Sequence, residues 1–153
     1  MDALFSTDST TSNFDIILGH SQGAILTAAL ISKQERLRNM ELGPRGYLLN
    51  GVAWPNPFGE TLLSLAQEIS ATEPLPKIAF VMGKADTINP IKSAQQVYDS
   101  YLAARFDVSI VHHEGGHSVP FGKDDDSIRA LNEVVDWIFD IAREKAAKLK
   151  TGA

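Results

Sequence analysis

The first segment whose residue types could do chemistry is residues 19–23, Gly-His-Ser-Gln-Gly, which fits the pattern G-x-S-x-G. It follows a short apolar run at residues 14–18 and leads into a run rich in Ala, Ile and Leu. A strand, a sharp turn and a helix in this order form a nucleophile elbow, in which small neighbours let the serine take a strained backbone conformation. The sequence therefore predicts that Ser21 is a nucleophile and that the backbone N–H of Gln22 is one oxyanion donor. The alternative is a glycine-bounded turn with an incidental serine.

A serine hydroxyl is a weak nucleophile, so it needs a general base that is itself oriented by a carboxylate. In this architecture the chain order is serine, acid and histidine, each on a loop that follows a strand. Residues 83–86, Gly-Lys-Ala-Asp, follow the third apolar run, and residues 112–117, His-His-Glu-Gly-Gly-His, follow the fourth. We expect Asp86 to be the acid and His117 the base, because a Gly-Gly pair can deliver the ring into a crowded cleft.

The remaining polar clusters have simpler interpretations. His112 and His113 are adjacent at a predicted strand end, so they point to opposite faces and cannot easily share a metal ion or a substrate. His20 is expected to pack against a neighbouring loop. Residues 124–126 are three aspartates without the interleaved ligands of a calcium loop, and they are expected to cap the helix that follows. No metal or organic cofactor is implied, and the absence of cysteine excludes a thiol nucleophile and disulfides.

The elements that must position these residues are short apolar runs alternating with longer amphipathic stretches. Strands are predicted near residues 14–18, 47–52, 78–82 and 106–111, and helices near residues 22–38, 60–70, 90–101 and 127–148. Alternation at this spacing predicts parallel strands joined by right-handed helical crossovers, and therefore an α/β architecture. Asn89 is expected to cap the third helix, with Pro90 at its first position.

Length and composition set the class of protein. A chain of 153 residues that is 44% hydrophobic, with a net charge of -5, is typical of one soluble globular domain or part of one. No run reaches the roughly 18 apolar residues of a membrane helix, and the acidic balance argues against a nucleic-acid binder. The polar first residues lack the features of a signal peptide, so we expect a cytoplasmic location, with the nucleus as an alternative. Residues 1–13 are predicted to be a loose segment, 14–149 a partial domain and 150–153 a basic tail.

Three segments of the chain resemble the group of fungal and animal esterases called the family of serine hydrolases. They are residues 19–24, residues 83–86 with Pro90 shortly after, and residues 114–120, in which Gly-Gly-His is followed closely by Val-Pro. The resemblance implies an α/β-hydrolase fold and hydrolysis of a carboxylic ester or thioester through an acyl-serine intermediate. It assigns Ser21 as nucleophile, Asp86 as acid and His117 as base. The phospholipase/carboxylesterase group is the nearest alternative.

The resemblance also implies an N-terminal portion that residues 1–13 are too short to supply. That portion would carry the opening strands and the second oxyanion N–H, so we expect the C-terminal part of the fold, with the first strand as an exposed edge. The expected partner is a small-molecule acyl ester, and Trp54 and Phe58 are candidates either for lining its acyl pocket or for packing at the rim. The exposed edge predicts self-association, and a noncatalytic half-domain that binds a partner there is the competing hypothesis.

Overall fold

The computed structural model describes residues 14–36, 44–68 and 75–151, along which four strands alternate with four helices. The strands are β1 (Ile16–His20), β2 (Gly46–Asn50), β3 (Lys77–Gly83) and β4 (Val108–His113), and the helices are α1 (Gln22–Arg36), α2 (Gly59–Glu68), α3 (Ile91–Ala103) and α4 (Asp125–Thr151). The predicted loose segment at residues 1–13 lies outside the described residues. Helix α4 continues to Thr151, past the predicted domain boundary at residue 149.

All four strands are parallel and lie in the order β1-β2-β3-β4. Right-handed crossovers that advance in one direction along a sheet place their helices on the same face. Helices α1, α2 and α3 accordingly share one face of the sheet, and α4 covers the other. The predicted α/β architecture with parallel strands is therefore confirmed.

The core consists of one apolar cluster on each face of the sheet. Beneath α1, α2 and α3, the sheet contributes Tyr47, Leu49, Ile78, Phe80 and Met82. Beneath α4, it contributes Leu48, Ala79, Val81 and Val111. Strands β2 and β3 supply both clusters because their side chains alternate between the faces, which explains why their sequences are continuously apolar. These two strands are the rigid centre on which the site is built.

Strand β4 begins and ends two residues later than the sequence predicted. Phe106 was expected to open the strand, but its ring packs against Tyr101 of α3 with ring centroids 5.0 Å apart. Its N–H donates to the Tyr101 carbonyl at 3.1 Å, so it belongs to the turn that leaves the helix. At the other end, His112 and His113 pair with β3 inside the sheet, opposite Met82 and Gly83. The strand therefore carries two polar residues into the sheet.

Strand β1 also lies two residues later than predicted and forms the edge of the sheet. Among the described residues it pairs with β2 alone, through Ile16–His20. Phe14 lies before the strand and is 75% exposed, and Leu18 within it is 60% exposed. Within the described residues, the expectation that the first strand is an exposed edge is confirmed. In the part of the chain that the structure describes, no helix is long and apolar enough to cross a membrane.

Candidate active site

Ser21 occupies the turn between β1 and α1 and has a φ of 54°. This left-handed conformation is rare for a residue with a side chain and stores strain. Two backbone hydrogen bonds hold it: the Ser21 N–H donates to the Asn50 carbonyl at 2.9 Å, and the Ser21 carbonyl accepts from the Ile25 N–H at 3.1 Å. The turn therefore has the strand, strained serine and helix of a nucleophile elbow.

The two glycines of the serine segment have different roles in the structure. A Cβ at Gly19 would lie 2.8 Å from the Ala24 Cα, so only glycine lets β1 and α1 approach this closely. A Cβ at Gly23 would meet nothing within 4 Å in the described part of the chain. Close packing of strand and helix therefore explains the glycine at position 19 but not the one at position 23.

The structure brings Ser21, His117 and Asp86 into one chain of hydrogen bonds. The Ser21 hydroxyl lies 2.7 Å from His117 Nε2, and His117 Nδ1 lies 2.7 Å from Asp86 Oδ2. An ionised carboxylate can only accept, so Nδ1 carries the proton and Nε2 is free to accept from the serine. This is the tautomer that a histidine general base requires. The catalytic roles of the three residues remain a prediction.

Asp86 lies on the loop after β3, and its side chain is only 2% exposed. Its Oδ1 accepts two backbone N–H bonds of 2.9 Å each, from Ile88 and Asn89. Burial acts to raise the pKa of Asp86, but the hydrogen bond from His117 and these two N–H donors outweigh it and leave the pKa below its ordinary value. Asp86 is therefore held as a carboxylate that orients the imidazole.

The loop that carries His117 packs directly on the loop that carries the acid. The Ala85 N–H donates to the Gly115 carbonyl at 3.0 Å, and Lys84 forms an ion pair with Glu114. A Cβ at Gly83 would lie 2.5 Å from the Gly115 carbonyl oxygen and closer still to that of Gly116. Glycine at the end of β3 is therefore what allows the two loops to touch.

The acidic run at residues 124–126 acts as a helix cap. Oδ1 of Asp124 accepts from the Ser127 N–H at 2.9 Å, which satisfies a free donor at the start of α4. Asp126 accepts from the Glu114 N–H at 2.6 Å and forms an ion pair with Arg129. The predicted capping role is confirmed, and the same run also anchors the loop that leads to His117.

The other three histidines lie in three different environments. His20 is exposed, its Nδ1 lies 2.7 Å from Asn50 Nδ2, and its ring centroid lies 5.4 Å from that of His117. His112 is partly exposed, and its carbonyl accepts from Arg129 at 2.8 Å. His113 is 2% exposed, and its Nε2 has no hydrogen-bond partner among the described residues. Within the described part of the chain, His113 is therefore neither exposed nor fully hydrogen-bonded.

Burial determines the charge of His113. Desolvation lowers the pKa of this imidazole, and the carboxylates of Asp126, Asp86 and Glu114 only partly oppose it. The ring is therefore buried in its neutral form.

Gln22 is the first residue of α1, so its N–H has no partner within the helix. The N-terminus of a helix also favours negative charge. Both features are compatible with an oxyanion donor, and this role of the Gln22 N–H remains a prediction. No second oxyanion donor can be assigned among the described residues.

Trp54 and Phe58 lie on the loop after β2, at the same edge of the sheet as Ser21. Trp54 packs against the larger core cluster, and its indole lies over Gly59, where a Cβ would clash with it. Phe58 is 56% exposed. The structure thus gives Trp54 a packing role, and a role for either ring in binding an acyl chain remains a prediction.

Sequence reasoning missed three residues that surround the catalytic candidates: Asn50, Gly51 and Asn89. Asn50 and Gly51 were predicted to lie within the strand at residues 47–52. In the structure β2 ends at Asn50 and Gly51 follows it, a position where site residues concentrate. Asn89 was expected to cap α3, but Pro90 occupies the N-cap position without a side-chain cap hydrogen bond. The Asn89 side chain donates instead to the Gly51 carbonyl at 2.5 Å. The expectation for Asn89 is therefore wrong.

A family model and several solved structures match this chain. The family model described as "Serine hydrolase (FSH1)" matches residues 1–128. A search of curated proteins finds no match.

Solved structures share the fold at low sequence identity. Esterase PE8 is 15% identical with a TM-score of 0.56, over 82% of this chain and 49% of that one. Protein Atu2452 from Agrobacterium tumefaciens str. C58, of unknown function, is 23% identical with a TM-score of 0.52, over 79% and 50%. The acylaminoacyl peptidase of Pyrococcus horikoshii is 13% identical with a TM-score of 0.55, over 86% and 24%. The chain spans about half the length of the first two structures. With an α/β-hydrolase fold and a family match over most of its length, this chain belongs to the serine hydrolase (FSH1) family.

Proposed function

We propose that the chain hydrolyses a carboxylic ester or thioester through an acyl-serine intermediate. The observation that carries the proposal is the continuous contact from the Ser21 hydroxyl through His117 to Asp86, with both hydrogen-bonded pairs at 2.7 Å. Family membership independently supports hydrolase chemistry. Nucleophilic catalysis by serine requires a histidine in the correct tautomer, hydrogen-bonded both to the serine and to a carboxylate, and His117 has this arrangement beside the strained Ser21 turn.

The reaction proceeds in two proton-balanced halves. His117 Nε2 accepts the hydroxyl proton as Ser21 Oγ forms a bond to the acyl carbon, and Asp86 stabilises the imidazolium. The oxyanion of the tetrahedral intermediate is stabilised by the N–H of Gln22. As the bond to the leaving group breaks, His117 returns the proton to the departing alcohol or thiol. Water then attacks the acyl carbon while His117 accepts its proton. As the bond to Ser21 Oγ breaks, His117 returns the proton to the serine and the carboxylic acid is released.

A fluorophosphonate probe tests the nucleophile. The wild-type protein should be labelled on the peptide that contains Ser21, and Ser21→Ala should abolish the labelling. Ser64→Ala is a matched control, because Ser64 lies on α2, where its hydroxyl donates to the Glu60 carbonyl. Failure of the folded wild-type protein to be labelled would contradict the proposal.

Matched substrates test the chemistry and the acyl site. Esters and thioesters that share one acyl chain should both be turned over, with loss of both activities in Ser21→Ala. If Phe58 lines the acyl pocket, Phe58→Ala should raise KM for longer acyl chains and leave kcat for acetyl esters unchanged. An unchanged KM for every chain length would remove Phe58 from the acyl pocket.

A noncatalytic binding role is the second candidate, and the exposed edge strand favours it. Leu18 of β1 is 60% exposed, and the outer backbone groups of an edge strand can pair with another strand. This role predicts a folded protein that binds a partner and does not react with the probe. The labelling experiment therefore separates the two candidates.

A further inference from the structure

We propose that Asn89 is a positioning residue that holds the backbone of Gly51 against the His117 imidazole and so fixes the orientation of the ring. This inference rests on the proposed function, in which His117 is the general base. It assigns a role to the side chain of Asn89 and to the backbone of Gly51, neither of which acts on the substrate.

The backbone of Gly51 lies beside the His117 imidazole and is called the wall of the ring below. Its φ is 60°, a left-handed conformation that favours glycine, and its N–H donates to the Val81 carbonyl at 3.0 Å. A Cβ at Gly51 would lie 3.1 Å from His117 Cε1, 3.2 Å from His117 Nδ1 and 3.7 Å from Asp86 Oδ2. The backbone of Gly51 therefore lies close beside the ring, and a side chain at this position would press on the imidazole.

Asn89 connects this wall to the acid. Its side-chain Nδ2 donates to the Gly51 carbonyl at 2.5 Å, while its backbone N–H donates to Asp86 Oδ1 at 2.9 Å. One residue thus joins the carboxylate that orients the base to the backbone that borders it. The side chain is available for this bond because it does not cap α3.

The imidazole needs such a wall. Its two hydrogen bonds run to Ser21 and Asp86 through opposite nitrogens, and they leave the ring free to rock about the line that joins them. His20 lies near the ring at a centroid distance of 5.4 Å. The backbone of Gly51 limits rocking on the Cε1 side, and Asn89 sets how far this backbone can retreat.

Asn89→Ala removes only the side-chain bond, since both backbone donors to Asp86 remain. We expect kcat for ester hydrolysis and the probe-labelling rate constant to fall roughly tenfold, the range that one lost hydrogen bond supports. KM and the fraction of molecules that the probe labels should stay unchanged. Asn132→Ala, at an exposed position of α4, is the matched control and should behave as wild type.

Three results would overturn the inference. One is a labelling rate constant in Asn89→Ala within twofold of wild type. Another is a lower labelled fraction with an unchanged rate constant per labelled site, which is the signature of a purely structural role. The third is an equal loss in Asn132→Ala. If Asn89→Ala does not fold, Asn89→Leu replaces it, because leucine keeps the branched shape without the donor.

NMR separates this inference from the proposed function. The His117 Nδ1 proton, hydrogen-bonded to Asp86, should give a strongly downfield signal that exchanges faster with water in Asn89→Ala than in Asn132→Ala. If the wild-type protein is not labelled, the proposed function fails and this signal alone decides the role of Asn89. An unchanged exchange rate would then overturn the positioning role.

Discussion

Gly83 offers the sharpest test of how closely the loops around the site must pack. In Gly83→Ala the new Cβ would lie 2.5 Å from the Gly115 carbonyl oxygen and closer to that of Gly116. Both atoms are backbone, so a rotamer change cannot relieve the overlap. Reaching 3.0 Å, the shortest distance that real Cβ atoms tolerate, requires half an ångström of movement at the Gly115 oxygen and more at that of Gly116. The loop before His117 must therefore retreat by roughly 1 Å, a displacement that can cost about 10²-fold in rate.

The assay measures short-chain ester hydrolysis and the labelling rate constant of Gly83→Ala beside those of Gly116→Ala. The second variant adds the same methyl group to the same pair of loops, but its Cβ would lie 3.5 Å from the Ala85 carbonyl oxygen, an ordinary contact. We expect a loss of about 10²-fold in the first variant and less than threefold in the second. Overpacking should also lower the free energy of unfolding of Gly83→Ala by about 1–3 kcal/mol. A folded Gly83→Ala with an activity within threefold of wild type would refute this reasoning.

Three further perturbations test the histidines and the edge strand. His117→Ala should remove nearly all ester hydrolysis, whereas His113→Ala should keep most of the activity per folded molecule; the reverse result would mean that His113 is the base. Because burial lowers the pKa of His113, its contribution to stability is complete above the ordinary histidine value of about 6.5 and is lost as the pH falls. Denaturant unfolding at pH 7.5 and 5.5 should show a lower free energy of unfolding at pH 5.5 in the wild-type protein but not in His113→Leu. An equal change in the free energy of unfolding between the two pH values in both proteins would contradict this prediction. If the wild-type protein self-associates through β1, Leu18→Lys should shift its sedimentation towards monomer, since charge on an edge strand opposes pairing. A wild-type protein that already sediments as a monomer would contradict self-association, and an oligomer that Leu18→Lys leaves unchanged would place the contact elsewhere.

The order of the elements and the loops of the site were predictable because both depend on local signals. Apolar runs mark β2 and β3, and a strand-turn-helix pattern marks Ser21. The acid and histidine loops follow from chain order once the serine is identified. These signals are carried by the residue types themselves, so a single sequence reveals them.

The strand ends were less predictable because the residues that are apolar there are not the residues that pair with the neighbouring strand. Phe106 looks like a strand residue, yet it packs on Tyr101 at the end of α3. His112 and His113 look like loop residues, yet they continue β4 opposite β3. Asn89 looked like a cap because it precedes a proline, and only the tertiary structure shows its donor directed at Gly51.

Backbone hydrogen bonds that continue past the strand ends explain why the residues around the site could not be identified from sequence patterns. The Ser21 N–H donates to the Asn50 carbonyl, and the Gly51 N–H donates to the Val81 carbonyl, each extending a ladder past its last paired residue. The loops thereby inherit the register of the parallel strands, which fixes the relative positions of the nucleophile, base and acid. A backbone bond leaves no mark on side-chain type except where glycine is obligatory. At Gly51 a Cβ would meet the His117 ring, and at Gly83 it would meet the loop that carries His117. Glycine at these two positions is therefore the trace that this arrangement of the loops leaves in the sequence.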